Sequence, residues 1–267
     1  MATQSREAYS SDLTDKEWRI LRPLFPETRS DEETGGAPEK YPKREIANGI
    51  LYIKSNGCKW RDLPHDLPPW DTVYHYFLLW SEDGTWKNLN DSLREKLRRK
   101  SRKKTKPTVA IVDSQSVKNV DTARVSGYDA AKQIKGIKRH VVTDTLGLVL
   151  EAVVCAANIQ DRDGAKELLV KLKKEFKSLK KIFADQAYAG ELIGWVESRC
   201  GYLLRIVKRE GKGFSVLPKR WIVERTFGWF NKSRRLSKNY EASAQSAEAF
   251  LYVTMIHLMT KRLVRGG

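Results

Sequence analysis

Residues 107–114 read Pro107-Thr108-Val109-Ala110-Ile111-Val112-Asp113-Ser114. A continuous apolar run rich in β-branched residues predicts a central strand buried on both faces, not one that is half exposed. The strand ends on a carboxylate, Asp113, where sheet meets solvent. An acid so placed either holds a metal ion or begins a turn, and this segment alone leaves both open.

The elements that follow narrow the choice. Ser126 to Asp129 reads as a loop. Lys138 to Asp144 and Leu148 to Cys155 alternate and branch like strands, and Thr145-Leu146-Gly147 joins them as a hairpin. A helix starts within 158–164, and Ala165 to Phe176 carries one apolar face. Lys181 to Asp185 is a fourth strand, again apolar and again ending on an acid. Glu191 to Cys200 is helical, Tyr202 to Val207 a fifth strand, and 218–233 and 243–263 are long helices. Three strands, then helix, strand, helix, strand and helix is the order of a ribonuclease H-like α/β domain, a mixed five-stranded sheet with flanking helices. An ordinary βαβ protein would alternate from the start.

The preceding third is helical. Thr14 with Glu17 forms a capping box ahead of Trp18 and Leu21, and Pro23 and Pro26 keep that helix short. Glu27 to Pro42 is a polar loop rich in Gly and Pro. Lys43 to Ser55 repeats its apolar residues at helical spacing and stops at Asn56-Gly57. After a Pro-rich connection, helices run from about Asp71 to Trp80 and from Trp86 to Arg99. Short helices with turns between them suggest a helix-turn-helix-like DNA-binding domain. Within it, Thr72 and His75 are candidates to face a groove while Val73 and Phe77 face the core. Residues 94–106 are almost wholly basic and polar and read as a linker lying along phosphates or as a solvated tether. The expected organisation is a helical domain over 1–93, a linker over 94–106 and a catalytic domain over 107–267.

Composition points the same way. The 267 residues carry 50 Lys+Arg against 33 Asp+Glu, a net +17, which favours a polyanionic partner, nucleic acid first. Three scattered cysteines without a CxxC argue against a disulfide framework and a zinc knuckle. The polar N-terminus has no signal-like apolar region, and no stretch is long and apolar enough to span a bilayer. The expectation is a cytoplasmic protein with no membrane partner.

In a ribonuclease H-like sheet the first and fourth strands are neighbours, so Asp113 and Asp185 would meet at one sheet edge. Glu224, in Arg220-Trp221-Ile222-Val223-Glu224-Arg225-Thr226-Phe227-Gly228-Trp229, is the candidate third acid. Phosphodiester chemistry needs such acids. Two hard cations about 4 Å apart activate the attacking hydroxyl and stabilise the leaving oxygen, and Mg²⁺ takes carboxylate oxygens. Asp144 reads as a turn residue, and Asp161 or Asp163 as a helix cap. Taken alone, Glu224 reads first as an ordinary i,i+4 partner of Arg220.

These blocks together resemble the DDE transposases of bacterial insertion sequences, in the insertion sequence 5 family. Leu13 to Trp18, Gly57 to Pro64 and Gly84-Thr85-Trp86 resemble its N-terminal DNA-binding region. Val112 to Lys118, Gly136 to His140, Ala184 to Tyr188 and Arg220 to Trp229 resemble its catalytic blocks, in the family's order, with 71 residues between Asp113 and Asp185 and 38 between Asp185 and Glu224. The resemblance implies a transposase, nucleoid-associated in a bacterial cell, that binds terminal inverted repeats, cuts at the element ends and joins the 3′-hydroxyls to target DNA. It implies Asp113, Asp185 and Glu224 as ligands of Mg²⁺, with Mn²⁺ as a substitute. Its DNA partners are double-stranded repeat ends and target, held by a homodimer. By the same resemblance and by charge, Lys138, Arg139, His140, Arg220, Arg225, Lys232, Arg234 and Arg235 would approach DNA. Trp229 is a candidate to stack on an unpaired base, with core packing as the favoured role. One departure stands out: where related chains have a Tyr and a Lys around the third block, this one has Leu217 and Asn231, with Lys232 one step later. The rival readings are a nuclease of the same fold that does not join strands, and a non-catalytic DNA-binding descendant.

Overall fold

The structure, a computed structural model, describes residues 6–27, 40–121, 123–207 and 219–265. The chain begins with four helices, α1 (Asp15–Leu21), α2 (Lys43–Asn56), α3 (Trp70–Glu82) and α4 (Thr85–Lys100). Then come β1 (Val109–Lys118), β2 (Gly127–Asp129), β3 (Ile134–Asp144), β4 (Val149–Ala156), α5 (Asp161–Glu175), β5 (Lys181–Ala184), α6 (Glu191–Cys200), β6 (Leu203–Ile206), α7 (Arg220–Asn231) and α8 (Ala244–Arg265).

Local signals behave as chemistry dictates. The Thr14 hydroxyl accepts from the Glu17 amide, and the Glu17 carboxylate accepts from the Thr14 amide, which closes the capping box of α1. Gly57 ends α2 with φ of 71°, the left-handed turn that glycine adopts without penalty. In α3 Val73, Phe77 and Trp80 point into the core while His75 stays exposed. The loop expected over Glu27 to Pro42 lies mostly outside the described residues, as does Leu217.

The sheet runs β4–β3–β1–β5–β6. β3 runs antiparallel to both of its neighbours, β1 and β4, and β5 and β6 are parallel to β1. This is the ribonuclease H-like arrangement. It differs from expectation in having six strands. Residues 127–129, read as a loop, form β2 and pair with Ile134 to Gly136. On its other side Gly136 lets β3 approach the end of β1 closely, since a Cβ there would lie 2.0 Å from the Val117 carbonyl oxygen.

β1 is also longer than its apolar run. It continues through Ser114, Gln115 and Ser116 to Lys118, so Asp113 sits mid-strand and not at its end. The polar extension is held by antiparallel pairing with β3 from Asp113–Val141 to Lys118–Gly136, where backbone bonds do not require apolar side chains.

Two cores flank the sheet. Ala110, Val112 and Ile182 pack with Leu168, Leu172, Leu192 and Val196 of α5 and α6. Ile111, Val117 and Val149 pack on the other side with Phe230, Phe250 and Val253, and the same cluster runs on into Ile50, Phe77 and Leu89 of the N-terminal helices. Residues 94–100, expected to begin a basic linker, are instead the last turns of α4. Arg94 and Arg98 are buried there, and Arg98 pairs with Asp144 at the β3–β4 turn. Their stems pack into the core while their charges meet fixed partners, so these two arginines are not free to lie along phosphates.

Candidate active site

The parallel register pairs Ile111 of β1 with Phe183 of β5. Two residues further along each chain, on the same side by strand alternation, stand Asp113 and Asp185. Asp185 follows β5 directly and opens a tight helical turn, its carboxylate accepting from the Ala187 amide at 2.9 Å. Burial pushes the Asp113 carboxyl up to about 7; the nearby Asp185 charge adds to this, and the Ser114 amide, donating at 2.7 Å, opposes it.

Glu224 lies one turn into α7, exposed to solvent. Arg220 links it to the pair: its guanidinium is 3.5 Å from the Asp185 carboxylate and 3.2 Å from that of Glu224. The i,i+4 pair expected from the helix therefore exists, and it also reaches across to the sheet. α7 is fixed over β1 and the β3–β4 turn. The Thr226 hydroxyl donates to the Gly147 carbonyl at 2.8 Å and the Arg225 guanidinium to the Leu146 carbonyl at 3.0 Å.

Among the described residues no three His, Cys, Asp or Glu side chains already form a metal-holding cluster. The donor chemistry nevertheless suits a hard divalent cation. Burial, with the nearby Asp185 charge added to it, raises the Asp113 carboxyl, and a cation bound beside the two carboxylates would offset that cost. Glu224 joins such a set if Arg220 gives way.

The opposite face of β1 holds residues that sequence reasoning did not mark as part of the site. The Ser114 hydroxyl donates to Asp161 at 2.7 Å and the Ser116 hydroxyl to Asp129 at 2.6 Å. Lys138 completes the network at 3.1 Å from Asp161 and 3.5 Å from Asp129, and donates to the Ile159 carbonyl at 2.8 Å. Tyr188 is buried beside Ser114, and burial together with the Asp113, Asp161 and Asp185 charges raises its hydroxyl well above the ordinary value. The period-two alternation of Asp113, Ser114, Gln115 and Ser116 was the available signal. The expected capping role of Asp161 or Asp163 does not hold, because Gln160 occupies the cap of α5 and Asp161 is taken up by Ser114 and Lys138.

The candidate DNA contacts divide. Lys138, Arg139 and His140 are 5%, 1% and 0% exposed, so no phosphate reaches them. Lys138 serves the network just described, Arg139 donates to the Leu236 carbonyl at 2.9 Å, and His140 lies 3.4 Å from the Cys155 sulfur. His140 also fills the space over Gly164, where any Cβ would approach it to 2.2 Å. Arg235 is likewise buried, bonded to Glu241 at 2.7 Å and to the Cys58 carbonyl at 2.9 Å. These four are corrections: β3 is covered on both faces, and Arg235 turns inward at the end of α7. Arg220, Arg225, Lys232 and Arg234 remain at the surface. Trp229 is half-buried and carries Arg225 and Arg262 against its ring.

Comparison with known proteins follows the same outline. A family described as "Putative transposase of IS4/5 family" matches residues 13–90, and the transposase DDE domain matches residues 104–259. Two relatives come from Burkholderia cepacia. The insertion element IS402 uncharacterized 16.2 kDa protein is 28% identical over 117 residues, 43% of this chain and 78% of its own length. The "Putative transposase for insertion sequence element IS402" is 32% identical over 124 residues, again 43% of this chain but 59% of its own length. Among solved structures, the catalytic domain of Mos1 mariner transposase gives a TM-score of 0.35 at 12% identity, over 65% of this chain and 87% of that one. The Mos1 paired end complex with Mn gives 0.32 at 13%, over 87% and 80%. With the DDE domain matched over more than half of its length, the chain belongs to the DDE transposases of insertion sequences.

Proposed function

We propose that this transposase binds the terminal inverted repeats of its element, cleaves DNA at the element ends and joins the freed 3′-hydroxyls to target DNA. The observation that carries this is the meeting of Asp113 and Asp185 across β1 and β5, with Glu224 tied to them through Arg220. The three carboxylates would hold Mg²⁺, or Mn²⁺ in its place. Bound there, the metal supplies Lewis-acid stabilisation of the developing charge and a nucleophilic oxygen at neutral pH.

The chain's own residues do the rest. The Ser114 amide orients Asp113, and the Ala187 amide orients Asp185. Arg220, freed from the carboxylates, is placed to bind the phosphate that is cut. The buried Ser114–Asp161–Lys138 network braces β1 from behind. Two copies acting on two ends complete the reading.

The test uses labelled DNA carrying the element's ends, incubated with Mg²⁺ or with EDTA, for wild type and Glu224→Gln. Gln keeps the shape of Glu and removes its charge. Metal-dependent cleavage and joining by wild type, lost by at least about 10²-fold in the variant, is the expected outcome. Cleavage without joined product would make the chain a nuclease. Binding without cleavage in both proteins would make the acids structural.

A further inference from the structure

The helices behind the site carry cations that the fold leaves without counter-charge. Elsewhere basic side chains meet acids, as Arg98 meets Asp144, Lys138 meets Asp161 and Arg235 meets Glu241. Beyond Arg220, Arg225 of α7 and Arg262 of α8 instead lie on aromatic rings and near each other, with the Leu146 carbonyl as a further acceptor for Arg225. The Arg225 guanidinium lies against Trp221 and Trp229, 4.4 and 4.8 Å from their ring centroids. Arg262 of α8 packs on the same Trp229 at 4.2 Å. Two guanidiniums thus share one indole, and burial followed by the Arg225 charge lowers Arg262 from its ordinary value. The next position, Lys261, acts on α2. Lys54 of α2 lies 3.1 Å from the His257 Nδ1. Burial and then Lys261 pull Lys54 down to about 8, and no carboxylate acts on Lys54 or His257. Among the described residues, none of Lys54, Arg225, Lys261 and Arg262 is in an ion pair.

Like charges held together cost free energy unless an anion relieves them. The linked cations run from Arg225 of α7 to Arg262 of α8 on the shared indole, and on through Lys261 of α8 to Lys54 of α2, with Arg220 one turn before Arg225 on α7. The α7 part alone, from Trp221 to Trp229, spans about 12 Å at the helical rise. One strand of duplex DNA presents a phosphate about every 3.4 Å along its axis, so this length matches three or four phosphates. The tryptophan faces keep Arg225 and Arg262 flat and extended, which lessens the entropy lost when a phosphate is bound.

We propose that Arg225, Arg262, Lys261 and Lys54 form a phosphate track that holds the backbone of a DNA duplex running from the cut site across α7 and α8 to α2. This deepens the transposase reading and rests on it. The track lies outside the carboxylate site, and none of its four residues touches the acids.

The experiment is anisotropy titration of the full chain with a labelled duplex of arbitrary sequence, between about 50 and 200 mM salt. Wild type is compared with Lys261→Gln/Arg262→Gln, and with Lys166→Gln/Lys171→Gln as a control on α5, where both lysines are paired with acids. The slope of log affinity against log salt should become shallower by about 2 in the track variant, about 0.9 per lost phosphate contact, and stay unchanged in the control. Arg262→Lys, which keeps the charge, should keep the wild-type slope, and its circular dichroism and that of the double variant should match wild type. A track variant with the slope of the control overturns the track alone. A wild type that binds no duplex even at low salt overturns the transposase reading and the track together.

Discussion

His140 shows most clearly what burial does to a residue that looks like a DNA contact. It follows Lys138 and Arg139 in a basic stretch, yet it is wholly enclosed, and burial holds its imidazole down to about 4. A base with its folded value lowered contributes stability above its unfolded value, near 6.5, and that contribution is lost as pH falls towards 4. The unfolded chain takes up a proton at pH 5 that the folded chain refuses. Wild type should therefore lose about 2 kcal/mol more than His140→Gln between pH 7.5 and pH 5, read from urea midpoints at the two pH values. Parallel pH dependence in the two proteins would mean that His140 is protonated in the fold. Asp113 and Asp185 stood out in the sequence because each closes an apolar run of residues. The enclosure of Lys138, Arg139 and His140 was not legible, because a basic strand under α5 reads the same as a basic strand facing DNA.

At the level of elements, α4 departs furthest from its reading. Its basic end, expected to be tether, is clamped to the β3–β4 hairpin. Asn90 donates to the Val149 carbonyl at 3.0 Å, Arg94 packs over Phe176 at 4.9 Å, and Arg98 pairs with Asp144. Asp144 also accepts the Leu146 and Leu148 amides at 2.8 and 3.0 Å, so one carboxylate organises the turn on which α7 rests. Arg98→Met leaves that carboxylate buried without its counter-charge and should destabilise the protein by about 3–5 kcal/mol. Arg98→Met/Asp144→Asn should recover part of the loss in denaturant unfolding, and additive losses would show that the two do not couple. The helices with caps and periodic apolar faces, α1, α2 and α6, were read nearly to their ends. β2 was missed because it is three residues long, Gly127-Tyr128-Asp129, and buries only Asp129, which leaves no hydrophobic pattern.

For the whole molecule, the division into a helical region and a catalytic domain meets a shared interior. Ile50, Phe77 and Leu89 belong to the same cluster as Val149, Phe230 and Phe250, and α8 packs against α1, α2, α3, α4 and β4. Unfolding should accordingly be one cooperative transition. Tryptophan fluorescence, weighted to the helical region by Trp18, Trp60, Trp80 and Trp86, should coincide with far-ultraviolet circular dichroism along a urea titration. Two separated transitions would restore independent domains. The sequence by itself determined the order of the main helices and strands other than β2 and the excess of positive charge, because strand and helix periods and formal charge are local properties. Tertiary structure alone decided which cations face solvent and which are spent inside. Charge is carried by the residue, but exposure depends on what packs over it: α5 covers His140, Glu241 meets Arg235, and Arg225 and Arg262 share the Trp229 ring with no acid paired to either among the described residues.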